Sequence, residues 1–202
     1  VLSQSLNIPA VSMLRKYTPG RFLELLRLTG FTSFRLPADH YGLSLILGGG
    51  ETSLWELAGV YASLSRVLGR YSKERKYLTG DYHLPVLLCE EADRKPVKED
   101  ENPPLSAASI WLTYEALRKV NRPESEAGWQ YFASTPGLAW KTGTSFGFRD
   151  AWAVGATPSY VIVVWAGNAD GEGRPGLTGV SAAAPIMFDL AGMMRQGEWF
   201  SP

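Results

Sequence analysis

Residues 160–166, Tyr-Val-Ile-Val-Val-Trp-Ala, are apolar at every position. A strand without polar alternation has two faces to cover, so the chain must supply packing on both sides of a sheet. Two strand-like runs precede it, 138–144 (Leu-Ala-Trp-Lys-Thr-Gly-Thr) and 149–157 (Arg-Asp-Ala-Trp-Ala-Val-Gly-Ala-Thr). Only Thr157-Pro158-Ser159 separates the second run from the apolar one, a turn short enough for antiparallel neighbours. Residues 181–195 supply one cover. Their Ser-Ala-Ala-Ala start lets a helix sit close, and Pro185 is tolerable only near a helix start.

The first third reads as helices. Thr18 is a candidate N-cap, Pro19 suits the first helical position and Gly30 suits the stop. After Gly48-Gly49-Gly50, the positions Leu54, Leu57, Ala58, Tyr61, Leu64 and Leu68 share a helical face that Gly69 is predicted to end. Ser53 followed by Glu56 has the spacing of a capping box. The glycine triplet reads as a tight turn feeding that helix. No Lys-Ser/Thr follows it, which disfavours a phosphate loop. Residues 70–105 change texture, with a short hairpin predicted to turn at Gly80-Asp81 and then a charged, proline-broken stretch read as an exposed loop. Another helix is predicted over 106–120, with Ile110, Trp111, Tyr114 and Leu117 on its apolar side. Helices first and an antiparallel sheet with a docked helix last is an α+β pattern: 1–69 and 106–120 mainly helical, 70–105 hairpin and loop, 138–202 strands and a terminal helix.

At 202 residues and 45% hydrophobic content the chain can build one substantial core. Twenty basic and twenty acidic residues cancel, so no net field favours nucleic acid or an anionic membrane. A lone Cys89 cannot form an internal disulfide. His40 and His83 lack metal-ligand spacing and read as surface or loop residues, so neither metal nor cofactor is expected.

Two short stretches carry candidate chemistry. Lys141-Thr142-Gly143-Thr144 would put an ammonium on a strand, hydroxyl donors for a carboxylate beside it, and a glycine against which a peptide backbone can lie. An extended peptide can pair with such an edge, and the Thr144 N–H could face a developing oxyanion. The bland alternative is a strand-end lysine in solvent. Ser5-Leu6-Asn7 precedes a helix expected to start near Pro9. Asn7 is either its N-cap or a side chain that holds a substrate amide, with Ser5 relaying a proton. The aromatics that follow, Phe146, Phe148 and Trp152, read as strand residues, and Trp152 is expected in the core. Arg149 and Asp150 read as a local ion pair.

Taken together, 5–11 (Ser-Leu-Asn-Ile-Pro-Ala-Val), the stretch 41–64 from Tyr41 to Leu64, and 138–167 resemble the penicillin-binding transpeptidase domain of bifunctional peptidoglycan synthases, most closely their penicillin-binding protein C branch. The likeness is patchy over 31–40 and 70–104 but keeps its order along nearly the whole chain. The family signature is S-x-x-K, then a Ser-x-Asn-type element, then K-T-G. Ser5 and Asn7 match the second, and Lys141, Thr142, Gly143 and Thr144 match the third. No serine here has lysine three positions later; Ser12 is followed at that spacing by Arg15 and Ser72 by Arg75.

The resemblance implies a partial transpeptidase domain. Its expected activity is D,D-transpeptidation of peptidoglycan stem peptides through a serine ester that β-lactams would trap, with Ser5, Asn7, Lys141 and Thr144 catalytic and Thr142, Gly143 and Thr144 binding substrate. It implies a nucleophile, a membrane anchor and a glycosyltransferase domain in a part of the protein ahead of this chain. It also implies a periplasmic location, no nucleic-acid partner, and no acylation of residues 1–202 alone. The rival expectations are a non-catalytic peptide-binding relative and a D,D-carboxypeptidase or β-lactamase.

Overall fold

A computed structural model describes residues 2–87, 97–120, 137–195 and 197–200. Helices come first: α1 (Asn7–Tyr17), α2 (Pro19–Leu28), the short α3 (Ala38–Tyr41) running into a 3-10 stretch (Gly42–Leu47), α4 (Leu54–Glu74) and α5 (Ala107–Arg118). Strands β1 (Ala139–Thr144), β2 (Asp150–Ala156) and β3 (Val161–Gly167) form an antiparallel sheet in the order β1-β2-β3. A π-helical turn, Gly179–Ala183, then leads into α6 (Ala184–Met193). The expected α+β order is what folds.

The sheet is covered on both faces by different elements. One face of β2 carries Ala151, Ala153 and Gly155, and here α6 packs so closely that a Cβ on Gly155 would lie 3.0 Å from Met187 Sδ. The other face meets α4, while α5 lies against β1. Val67, Leu68, Ile110, Tyr114, Leu138 and Trp140 belong to this main core. The uninterrupted apolar run of β3 is only partly enclosed. Ile162 and Val164 are buried, whereas Val161, Val163 and Trp165 are half-buried. A smaller core, built on Leu14, Leu23, Phe31, Phe34, Tyr41, Leu45 and Val60, holds the first helices together.

Local signals set several boundaries as expected. Thr18 caps α2, its Oγ1 accepting from Arg21 N, with Pro19 at the helix start and Gly30 at φ 116° after its end. Ser106 Oγ caps α5 by accepting from Ser109 N. Thr157 N donates to Tyr160 O across the β2–β3 turn, and Pro185 lies in the first turn of α6.

Other expectations are corrected. Helix α4 does not stop at Gly69 but runs to Glu74 and ends at Arg75 in the left-handed region. A mid-helix glycine weakens a helix by only about 1 kcal/mol relative to alanine. The extra turn gains Arg70 bonded to Asp81 at 2.9 Å and Tyr71 stacked on Tyr77. The predicted hairpin at Gly80-Asp81 is instead a turn whose partner lies within the charged stretch: Leu78 forms an isolated bridge to Glu99, and Thr79 N donates to Lys98 O. Asp81 holds that turn, its buried carboxylate accepting from Leu78 N and Arg70 Nε. Within the stretch read as an exposed loop, Val97, Lys98 and Glu99 are exposed, while Cys89 and its neighbours at 88–96 lie outside the described residues.

The Ser53–Glu56 pair is half a capping box. Ser53 Oγ accepts from Glu56 N at 3.1 Å, but the Glu56 carboxylate does not turn back to its own cap. It is buried and gathers Thr32 N at 2.8 Å, the hydroxyls of Thr32 and Ser33, and Thr52 Oγ1 at 3.1 Å. Burial alone would raise its pKa, yet those bonds outweigh the penalty and lower it to about 2.

Candidate active site: a cleft between the helices and the K-T-G-T strand

Between the helical part and the sheet lies a cleft of about 1100 Å³. Its helical wall comprises Asn7, the turn from Gly48 to Thr52 with Ser44 and Leu47 behind it, and Leu54 and Leu57 of α4. Its sheet wall runs from Gly143 to Phe146 and continues through Asp150, Trp152 and Trp165.

The pairing of β1 with β2 sets what this wall presents. Register places Lys141 opposite Val154, Gly143 opposite Trp152 and Thr144 opposite Ala151. Ser145 N donates to Asp150 O at 2.9 Å. Because bonded and non-bonded pairs alternate in an antiparallel ladder, the N–H and C=O groups of Thr142 and Thr144 point away from β2, toward the outer edge of β1. Among the described residues no strand pairs with that edge. Lys141 Nζ curls to it and donates to Thr142 O at 2.6 Å.

Side chains alternate in the opposite sense. Gly143, Trp152 and Trp165 form one row across the cleft face. A Cβ on Gly143 would meet nothing closer than Trp152 Cβ at 3.7 Å, so the fold itself does not demand glycine there. The room it leaves opens into the cleft. Thr142 and Thr144 lie on the other face. Thr142 is buried at 9% exposure rather than lining the cleft, and Thr144 Oγ1 accepts from Gly179 N at 3.0 Å.

Gly179, which sequence reading passed over, is therefore a support of the site. A Cβ there would fall 2.4 Å from Trp152 O, 2.5 Å from Gly143 O and 2.9 Å from Thr142 Cβ. Only glycine lets the π-helical turn press against the back of β1. Thr178 fixes the turn: its Oγ1 accepts from Ser181 N at 3.1 Å while Ser181 Oγ accepts from Thr178 N at 3.1 Å. Single π turns inside helical segments occur often at functional sites.

Of the residues expected from sequence, the cleft brings together Asn7, Gly143 and Thr144, with Lys141 beside them at the strand edge. Asn7 is the first residue of α1, and no side chain caps that helix. The N-cap reading of Asn7 thus gives way, and Asn7 is among the residues lining the cleft. Ser5 is exposed in the turn before α1, at φ 52°, a left-handed conformation uncommon for serine; it does not line the cleft. The glycine turn at 48–50, read as a simple connector, is one of the cleft's walls. The core assignment of Trp152 is also corrected: it is half-buried and lines the cleft, while Phe146 at its rim is 99% exposed. No Arg149–Asp150 ion pair forms. Asp150 Oδ1 instead accepts from Trp165 Nε1 at 2.9 Å. His40 and His83 are exposed, and the described residues hold no cluster of metal-ligating side chains. No described helix is long and apolar enough to cross a membrane.

Comparison with known proteins bears out the resemblance to the transpeptidase region of the penicillin-binding proteins. Penicillin-binding protein 1C of Escherichia coli (strain K12) is 35% identical to it over 186 residues, covering 92% of this chain and 21% of that protein. Penicillin-binding protein 1A of Neisseria meningitidis (strain Z2491) is 28% identical over 201 residues, covering 98% of this chain and 24% of that protein. The crystal structure of penicillin-binding protein 1A from Haemophilus influenzae shares the fold at a TM-score of 0.66 and 19% identity, covering all of this chain and 35% of that one. The chain thus spans about a fifth to a quarter of the length of these curated relatives. No protein-family model matches it.

Proposed function

We propose that the chain is part of a serine D,D-transpeptidase that cross-links peptidoglycan stem peptides at the outer face of the bacterial inner membrane, and that the same site binds β-lactams. The observation that carries the reading is the edge of β1. It combines an ammonium, the outward-directed N–H of Thr144 and a glycine gap in one strand facing Asn7 across the cleft.

In this reading a serine from an S-x-x-K element elsewhere in the protein attacks the penultimate D-alanine carbonyl of a stem peptide. An ester forms, and terminal D-alanine leaves as its nitrogen takes the proton given up by the attacking serine; Ser5, which stands outside the cleft in this structure, would have to turn in to relay it. Lys141 holds the terminal carboxylate, and the Thr144 hydroxyl, which accepts from Gly179 N, can reach it only by donating round the end of the strand. The Thr144 N–H, directed to the outer edge of β1, is one of two oxyanion donors, the other being the N–H of the attacking serine. Asn7 holds the peptide amide, Gly143 gives the substrate backbone room, and Thr142 acts from behind the strand as a positioning residue. A second stem peptide's amine then attacks the ester carbonyl, a new amide forms, and the serine oxygen recovers its proton. The steps need no metal or cofactor. Residues 1–202 alone carry no S-x-x-K serine and are expected to form no serine ester.

The test is the second-order rate of acylation by a fluorescent penicillin, measured on the longest reading frame containing this chain. Lys141→Ala and Asn7→Ala should each slow it about 10- to 100-fold, the worth of a lost hydrogen bond to a charged or buried group. Unchanged rates in both variants, with wild type reactive, would remove these residues from the site.

A further inference from the structure

One part of the cleft's sheet wall is aromatic and acidic. It is formed by Trp152 and Trp165, rimmed by Phe146, and carries Asp150 between them. Asp150 is built in rather than merely near. Its N–H donates to Ser145 Oγ at 2.8 Å, its C=O accepts from Ser145 N at 2.9 Å, and its Oδ1 is fixed by Trp165 Nε1 at 2.9 Å. One carboxylate oxygen is thereby held by the wall. No basic side chain among the described residues lines this cleft; its charged lining residues, Asp150 and Glu51, are both negative.

A fixed carboxylate among aromatic faces is a receptor for an alkylammonium, which gains a charge-assisted bond from the first and cation–π attraction from the second. It is a poor receptor for a carboxylate. The cleft wall and the strand edge beside it therefore differ in sign. Lys141 suits the carboxylate terminus of one peptide, and Asp150 with its aromatic wall suits a cation. An alkylamine is almost wholly ammonium near neutral pH, its pKa being about 10.4.

We infer that the Asp150, Trp152, Trp165 and Phe146 part of the cleft is the subsite for the ammonium-bearing side chain of the second, amine-donating peptide. This rests on the transpeptidase reading above and adds to it the residues that select the acceptor. The subsite acts in binding. The ammonium loses its proton before the amine attacks, and the bond-making step is unchanged.

The experiment uses the longest reading frame, acylated from a D-alanyl thioester, and reads the ratio of aminolysis to hydrolysis of that one acyl-enzyme. Both products arise from the same ester, so a defect in folding or acylation does not move the ratio. Asp150→Asn should lower it about tenfold for a lysine-containing acceptor peptide, Trp165→Phe about threefold through loss of the indole N–H, and Asp150→Glu should restore part of it. Without any substitution, a peptide carrying trimethyl-lysine, cationic but not nucleophilic, should compete with the acceptor, and its norleucine counterpart should not. An unaltered ratio in Asp150→Asn, or equal competition by the two peptides, overturns the subsite while leaving the transpeptidase reading in place. Absence of any acyl-enzyme in the wild type overturns both.

Discussion

Gly179→Ala is expected to slow penicillin acylation about 100- to 1000-fold while leaving a folded protein. The added methyl carbon has nowhere to go, since Trp152 O and Gly143 O would lie within 2.5 Å of it. Both are backbone atoms of β1 and β2, so relief requires the K-T-G-T strand or the π turn to move. The move also breaks the Gly179 N–H bond to Thr144 Oγ1. A displacement near 1 Å at reacting groups can cost about 100-fold in rate, whereas overpacking costs about 1–3 kcal/mol of stability. The rate should therefore suffer far more than the fold. Acylation kinetics alongside thermal melting check this. A normal rate would mean that the turn does not set the strand's position.

Glu56→Ala should produce a large loss of stability, about 3 kcal/mol, because it removes a buried carboxylate whose bonds to Thr32, Ser33 and Thr52 tie the start of α4 to the segment after α2. At about 2–4 °C per kcal/mol for a chain of this size, the melting temperature should drop roughly 6–12 °C. The same carboxylate gives the protein an acid limit. Its folded pKa lies below the ordinary value of 4.5, at about 2, so its contribution is complete above pH 4.5 and is lost as pH falls through the interval down to about 2. A shift of this size corresponds to roughly 3 kcal/mol. Melting curves between pH 6 and pH 2.5 should show wild type losing stability and Glu56→Ala losing less. Parallel curves for the two would contradict this role of Glu56.

What sequence could and could not reveal follows from the range of each interaction. The three strands, the Thr157–Ser159 turn and the Thr18 cap depend on neighbours within a few residues, and each is where local pattern puts it. Glu56 has the spacing of a capping box, but its partners at Thr32 and Ser33 are more than twenty residues away, and no local rule points to them. Gly69 reads as a stop because the bonds that carry α4 past it come from Asp81 and Tyr77. Periodicity assigned Trp152 to a sheet face but could not say that this face borders a cleft rather than core. Asn7 was ambiguous between cap and ligand, and the start of α1 at Asn7 itself removes the cap. Gly143 and Gly179 look alike in sequence. Only packing distinguishes the glycine that leaves room for a ligand from the one that leaves room for the protein.

The central claim is that this cleft serves serine acyl transfer, and intact mass tests it most directly. Protein from the longest reading frame containing this chain, weighed before and after penicillin, should gain one adduct that maps to a serine in an S-x-x-K element, while residues 1–202 alone gain none. A folded longer protein that gains no mass, or a stable one-to-one adduct on residues 1–202, would contradict the account.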